Sequence, residues 1–499
     1  MYRFERENPR QRFAPHRAAR FSHRPGKFRL PLPLEDRLER VFAYYASLSG
    51  LRPHSVKMDK RSIPESWHVL LNYLEKEGVL ASRRPTFVPA HNDRPKFFNV
   101  ALEPAAALTD GRKDRYGGFG AAFSFENALS KAVGEVLERS LLSRYKRDDQ
   151  VCAKQSALSS ALDISTLSGF EPWQKERFPE LGGDEHSQLY WVEGQMFSSG
   201  ENVLLPAQLV FWNYVHTAGP GAHPAEPILA RATTSGSAGH FTYHEAVLAG
   251  LLEAIQRDGF LIYWLNSLPP RVLDMSEVDN PRIRELLEYL SRYRLEATFL
   301  NTTSDIGVPS LTCVLIDRMQ EDAVLSLGGG TGFSLEEMVE QSLLEALVNN
   351  ALSAARPMYT LPSNYEPFTD KDMPRAERIS LWRGARMLAK FDFLLSGETQ
   401  DARAFIPERA PQTARAQLAY VCGELKKRGT GYEVYVYEAR HRALARIGYR
   451  VVRTIVPQLV PLYFSEFAAP LGARRLREVP ERLGFVAAEE FNTLPHPFP

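Results

Sequence analysis

The chain has 499 residues, 44% hydrophobic and 24% charged, which is enough apolar material for a large core and a length that predicts two or three domains. A formal net charge of +1 and a pI near 7.8 exclude a general field for nucleic acid or an anionic membrane, so any partner is recognised locally. No run of about 18 apolar residues occurs, and the charged start MYRFERENPRQRF lacks the apolar core of a signal peptide. A cytoplasmic protein with no membrane span is expected. Cys152, Cys313 and Cys422 form no C-x-x-C pair and no even framework. They suit a reducing compartment and are expected to be buried thiols rather than nucleophiles.

Residues 1–30 carry nine Arg or Lys against two Glu and are broken by Pro9, Pro15 and Pro25, so a loose, solvated basic arm is expected. Residues 31–95 read as a small helical region. Within it SWHVLLNYLEKEGVL puts Val69, Leu70, Leu71, Tyr73 and Leu74 at helical spacing before Gly78. Generic packing is its expected role, with a docking surface or a degenerate winged helix as the alternative. From about Pro95 strands alternate with Gly-headed helices, which marks a boundary and an α/β or α+β body over 96–499. QLYWVEGQMFSSGENVLLPAQLVFW predicts a β-hairpin turning at Ser199–Asn202, with Pro206 confining its second strand to an edge. Charged helical segments follow over 368–414, and YEVYVYEA and YRVVRTIVPQLVPLYF then return to strand composition.

One pattern is used three times, in GGFGAAFSFENALSKAVGEVLERS, SGSAGHFTYHEAVLAGLLEAIQRD and GGGTGFSLEEMVEQSLLEALVNN. Each has a small-residue turn, an aromatic, a polar helix start and an Ala/Leu-rich helix bearing Glu. Gly120 to Glu135, Gly239 to Glu253 and Gly332 to Glu345 span 15, 14 and 13 positions, so the acid recurs at nearly the same height. Glu135 and Glu138 share a helix face at i, i+3, and Glu253 and Gln256 repeat that geometry. Clustered carboxylates repel, and hard oxygen ligands select Mg²⁺. Magnesium implies phosphate, for which Arg139 and Arg257 offer guanidinium forks and the Gly/Ser turns offer N–H groups, so ATP is the expected ligand. No G-x-x-x-x-G-K-[ST] is present, and GGGTGF from Gly328 to Phe333 fails the dinucleotide fingerprint. His240 and His244 stand at i, i+4 without a third ligand and are expected to be surface histidines rather than a zinc site.

Together GGFGAAFSFENALSKAVGEVLER, TTSGSAGHFTYHEAVLAGLLEAIQRD and the terminal NTLPHPFP resemble the YcaO superfamily, in particular the azoline-forming peptide cyclodehydratases, over about 96–499. The resemblance implies an α+β YcaO-type fold with Gly-headed acidic helices, an ATP site without a P-loop, and Mg²⁺ held by helix-borne acids. It assigns Glu135, Glu138, Glu253 and Gln256 to metal. It assigns Ser235, Glu135, Glu138, Glu253, Arg257, Asp258 and, less securely, Glu345 to the nucleotide. Arg139, Arg257 and the carboxylate of Pro499 take catalytic roles, with Pro495, His496, Pro497 and Phe498 carrying the terminus to the active site as a stiff rod. Four positions depart from the family pattern: Gln256 stands for a Glu, Val348 and Asn350 stand for Gln and Arg, and Lys131 stands for a Ser.

The implied reaction is ATP-dependent closure of a Cys, Ser or Thr side chain onto the preceding carbonyl of a ribosomal precursor peptide, giving a thiazoline or oxazoline. The implied partners are that peptide, a separate leader-binding protein and a flavin dehydrogenase acting later. Thioamide or amidine formation, or a weakly catalytic scaffold that binds nucleotide or precursor, are the alternatives. The oligomeric state stays open, a homodimer included.

Overall fold

A Ser or Thr ahead of an Ala/Leu-rich run sets the start of each long helix. In the computed structural model the hydroxyls of Ser124, Thr242 and Ser334 accept the N–H of Asn127, Glu245 and Glu337, satisfying donors that a helix start otherwise leaves open. The structure describes residues 65–87, 97–105, 117–216, 226–318, 323–370, 373 and 375–498. The expected basic arm 1–30, residues 31–64 and Pro499 lie outside the described residues.

In chain order the elements that frame the site are α1 (Glu65–Lys76), β1 (Thr86–Phe87), β2 (Phe98–Leu102), β3 (Gly118–Ala122), α2 (Phe125–Leu141), β4 (Val151–Lys154), β5 (Gln188–Met196), β6 (Asn202–Pro206), β7 (Ser237–His240) and α3 (Tyr243–Leu265). They continue with β8 (Arg271–Asp274), α4 (Pro281–Arg292), β9 (Leu295–Asn301), β10 (Ser310–Asp317), β11 (Val324–Thr331), α5 (Leu335–Ala354), α6 (Arg375–Leu381), β12 (Thr399–Asp401), α7 (Ala414–Lys426), β13 (Tyr435–Ala439), β14 (Arg450–Ile455) and α8 (Arg475–Arg482). The strands form three sheets, in orders β1-β2-β3, β11-β10-β9-β8-β12 and β4-β5-β13-β14-β7, with β6 on β5. The fold is therefore α+β, with antiparallel pairing except for the parallel pair β12 and β8.

The late strands do enter an earlier sheet: β14 pairs with β13 on one side and with β7 on the other. The hairpin is present as β5 and β6, turning at Gly200 with φ of 72°. Its second strand stops at Pro206, and Ala207–Val210 coils into a helical turn. Strand β1 pairs with β2 across residue 95, and Trp67, Leu70, Leu71 and Leu74 of α1 share a core with Leu129 and Val136 of α2.

The expectation of three buried thiols needs correcting at two positions. Cys313 is buried in the middle of β10, but Cys152 is exposed because β4 is a short edge strand facing water, and Cys422 is intermediate. Among the described residues, no helix is long and apolar enough to cross a membrane.

The second half of α3 is buried all round, from Ile255 to Leu265, and enters the largest apolar cluster beside Trp382, Phe391, Tyr463 and Phe498. Glu253 lies midway along the helix at the border of that core, and the first half packs into a second apolar cluster through Ala246, Val247, Leu248 and Leu251.

Candidate active site

The three repeated segments fold as three strand–helix units, β3–α2, β7–α3 and β11–α5. Glycine in the first and third strands lets the helix lie directly on the backbone. A Cβ at Gly118 would meet Ala132 O at 2.2 Å, and one at Gly328 would meet Ser342 O at 1.9 Å. In the middle unit Gly250, on the helix, makes the equivalent approach to Gly236 O at 2.5 Å. That closeness brings each helix acid within reach of its own strand. Glu135 Oε2 accepts the Phe119 N–H. Glu253 Oε2 accepts the Gly236 N–H at 2.9 Å, and Glu345 Oε2 accepts the Gly329 N–H at 2.7 Å.

Glu138 breaks this pattern by reaching into the next unit, where its Oε1 accepts the Gly239 N–H at 2.7 Å. The first and second units therefore meet in a pocket lined by Glu135, Glu138, Arg139, Trp212, Thr234, Ser237 and Glu253. Arg139 ties that pocket together, with Nη2 2.5 Å from Glu135 Oε1 and Nη1 donating to Gly117 O at 3.0 Å. Burial pushes the Glu138 carboxyl up to about 8, and the neighbouring Glu135 and Glu253 charges add to the shift. Burial also raises Glu253, against the opposing pull of Arg257. The side chains of Glu135 and Glu253 nonetheless keep 29% and 34% of their surface exposed, so a solvent-borne ligand can reach them.

Converging acids, of which Glu138 and Glu253 hold a proton more tightly than usual, fit a divalent cation, which would replace the proton and relieve the repulsion. Among the described residues, no three His, Cys, Asp or Glu side chains already stand at coordinating distance. Each acid is instead turned onto a backbone N–H. Glu135, Glu138 and Glu253 are the residues that would hold the cation.

Arg257 bridges the second and third units, its Nη2 3.4 Å from Glu345 Oε1 and 3.7 Å from Glu253 Oε1. Gln256 lies flat on the third strand, so that a Cβ at Gly329 would sit 2.0 Å from its Nε2. Ser235 occupies the expected turn, where its hydroxyl takes a bond from Thr233 Oγ1 at 3.1 Å, while its neighbours Thr234 and Ser237 line the pocket.

Asp258 is not brought to the pocket. Its carboxylate clamps Arg475 at 2.7 and 2.6 Å and accepts the Val460 N–H at 2.9 Å, fully buried. The helix explains this, since five residues beyond Glu253 the side chain has turned by about 140°. His240 pairs with Glu245 at 2.8 Å and His244 packs on Phe197, so the two histidines do not converge. The tail is docked rather than free: His496 and Phe498 are fully buried, and the Arg257 guanidinium lies 4.0 Å from the Phe498 ring centre.

Three site residues were not found from sequence. Trp212 lines the pocket and donates its indole N–H to Arg139 O at 3.0 Å. Arg453 of β14 donates to Thr233 O at 2.7 Å and Ser237 Oγ at 3.2 Å, holding the turn from below. Burial lowers it to about 10, opposed by the charge of Glu253. Tyr449 covers Gly239, and burial beside Glu138 raises its phenol well above the usual value. For Arg453 the one signal was a second arginine, following two valines, inside the strand RVVRTI.

A sequence profile described as YcaO cyclodehydratase, ATP- and Mg²⁺-binding, matches residues 108–460. An uncharacterized protein of Methanothermobacter thermautotrophicus is 27% identical over 366 residues, covering 72% of this chain and 84% of the relative. The fold is similar to that of a heterocyclase in complex with substrate and cofactor, with a TM-score of 0.66 and 18% identity over 86% of this chain. This chain spans 57% of that heterocyclase. It is similar too to YcaO from Methanopyrus kandleri bound with AMPPCP and Mg²⁺, with a TM-score of 0.54, 18% identity, and coverage of 80% of this chain and 91% of the other. Matched over the greater part of its length, the chain belongs to the YcaO cyclodehydratase family, and ATP and Mg²⁺ are its cofactors.

Proposed function

We propose that the protein is a peptide cyclodehydratase that closes Cys, Ser or Thr side chains onto the preceding backbone carbonyl of a ribosomal precursor peptide. The side-chain sulfur or oxygen adds to the carbonyl carbon, and the former carbonyl oxygen takes the γ-phosphoryl group of ATP. Phosphate then departs with that oxygen, the amide nitrogen loses its proton, and an azoline ring, ADP and phosphate result. Each ring costs the peptide one water.

The observation that carries this reading is the shared pocket of Glu135, Glu138 and Glu253, in which Glu138 is pushed up to about 8. Mg²⁺ held there would neutralise triphosphate charge. Arg139 and Arg257 would stabilise the phosphoryl group as charge spreads over its oxygens. The Thr233–Ser237 turn, Ser235 included, offers N–H and hydroxyl donors to the phosphates. Gln256 supplies an amide in place of a second carboxylate on α3, and Glu345 orients Arg257. The Pro499 carboxylate, beyond the docked Phe498, is assigned to proton transfer.

That a heterocyclase of similar fold holds a substrate together with a cofactor supports a substrate site beside the nucleotide here, and a peptide as that substrate is part of the proposal. Residues 96–499 form the catalytic block in this reading. A separate leader-binding protein, a later flavin dehydrogenase and a cytoplasmic location complete it.

The test is mass spectrometry of a co-expressed precursor together with phosphate release. Loss of one water per ring, and release that Glu138→Ala reduces by about 10²-fold or more, are expected. An unmodified precursor, with equal background release from both proteins, overturns the reading.

A further inference from the structure

A Pro-rich terminus cannot join a sheet, because Pro495 and Pro497 lack N–H donors. Its buried carbonyls still need partners. The donors that reach it come from far away in sequence. Arg378 Nη1 donates to His496 O at 3.3 Å, and its Nη2 lies 2.5 Å from Glu466 Oε1, with both side chains 0% exposed. The same Nη2 donates to Phe464 O at 3.0 Å. Burial beside Arg378 holds the His496 imidazole well below its usual value. It is therefore neutral, with its Nε2 2.6 Å from Tyr463 O.

Beyond this clamp Phe498 packs edge-on against Phe260 at 4.7 Å and covers the guanidinium of Arg257. Beneath that ring Arg257 is 8% exposed, and its Nε and Nη1 have no hydrogen-bond partner. The seat of the tail thus sets which face of Arg257 stays dry and which atoms can still meet a ligand.

We propose that the buried Arg378–Glu466 pair is a latch that seats His496–Phe498 on Arg257, making Arg378 a positioning residue for the phosphoryl-transfer site. This rests on the cyclodehydratase reading above. Arg378 touches no reacting group; it acts through the tail.

The experiment uses the full chain with ATP and Mg²⁺ as probes and reads three quantities: thermal unfolding, release of C-terminal residues by carboxypeptidase, and kcat and KM for phosphate release. Arg378→Gln is expected to fold and to lose its tail to carboxypeptidase at least about tenfold faster than wild type. Its kcat should fall at least about tenfold while KM for ATP stays within about twofold. Arg378→Lys, which keeps the charge but not the fork, should fall between. Phe498→Ala, which leaves the latch intact, should reproduce the kcat loss, and thermal unfolding of each variant separates a folding defect from a displaced tail. Wild-type tail protection in Arg378→Gln overturns the proposal, as does wild-type kcat in Phe498→Ala. A wild-type protein that neither binds nor hydrolyses ATP overturns the cyclodehydratase reading instead, while the carboxypeptidase result still decides the latch.

Discussion

Glu138 and Gly239 join two repeats: the carboxylate on α2 accepts the N–H of a glycine in β7, the strand that leads into the next acidic helix. Held there, Glu138 feels the charge of Glu253 in the second unit across the pocket.

A pH dependence follows. The Glu138 carboxyl titrates at about 8 in the folded protein against an ordinary 4.5. Between those values the folded chain holds a proton that the unfolded chain has released. Its contribution to stability is therefore complete below about pH 4.5 and is lost as pH rises towards 8. The melting temperature of the ligand-free protein should fall across that window, and Glu138→Gln should flatten the fall. Magnesium with ATP should bind more tightly as pH rises and release a proton on binding, which calorimetry in buffers of different ionisation enthalpy detects. Identical melting slopes for wild type and variant would remove Glu138 from the account.

The strand–helix units were legible because their determinants are local: the glycines of the strand, the capping Ser124, Thr242 and Ser334, and acids at a fixed height on each helix. What was not legible depends on partners remote in the chain. Asp258 looked like a continuation of the acidic helix, but its partner Arg475 lies 217 residues on. Trp212 and Arg453 bind backbone carbonyls, which carry no side-chain signature to match. Arg378 sits in a short helix with nothing in its own neighbourhood to mark it as the anchor of a terminus more than a hundred residues away.

Glycine contact separates two substitutions that look alike in sequence. A Cβ at Gly120 would lie 1.8 Å from Ala128 O, whereas Gly423 has nothing within 4 Å. Gly120→Ala forces α2 off its strand and should destabilise by about 2 kcal/mol or more, with the acidic pocket disturbed. Gly423→Ala lies inside α7 and should stabilise by roughly 0.5–1 kcal/mol. Chemical denaturation of both variants checks the contrast, and equal effects would refute it.

Asp258 and Arg475 offer a different separation, of folding from ligand binding. Asp258→Asn leaves a buried guanidinium without its full counter-charge and should cost about 3–5 kcal/mol. The protein that remains folded should bind ATP with wild-type affinity, because the carboxylate points away from the pocket. A binding defect exceeding the unfolded fraction would put Asp258 back among the nucleotide ligands.

The repeats also say what Gln256 lacks. Glu135, Glu138 and Arg139 on α2 correspond to Glu253, Gln256 and Arg257 on α3, so Gln256 holds the place of the acid that joins the first unit to the second. Its Nε2 is buried and has no hydrogen-bond partner, so the amide gains little from that position. Gln256→Glu would set a third carboxylate near Glu253 and Glu345, against the cations Arg257, Arg453 and Lys131. The ligand-free variant should melt below wild type at pH 8, where the added acid is ionised. Mg²⁺ in the presence of a non-hydrolysable ATP analogue should recover the loss and bind about tenfold more tightly, which corresponds to roughly 1.4 kcal/mol. A variant that is destabilised but binds Mg²⁺ no better than wild type would mean that the second and third units do not share a cation, and that the metal belongs to the Glu135, Glu138 and Glu253 pocket alone.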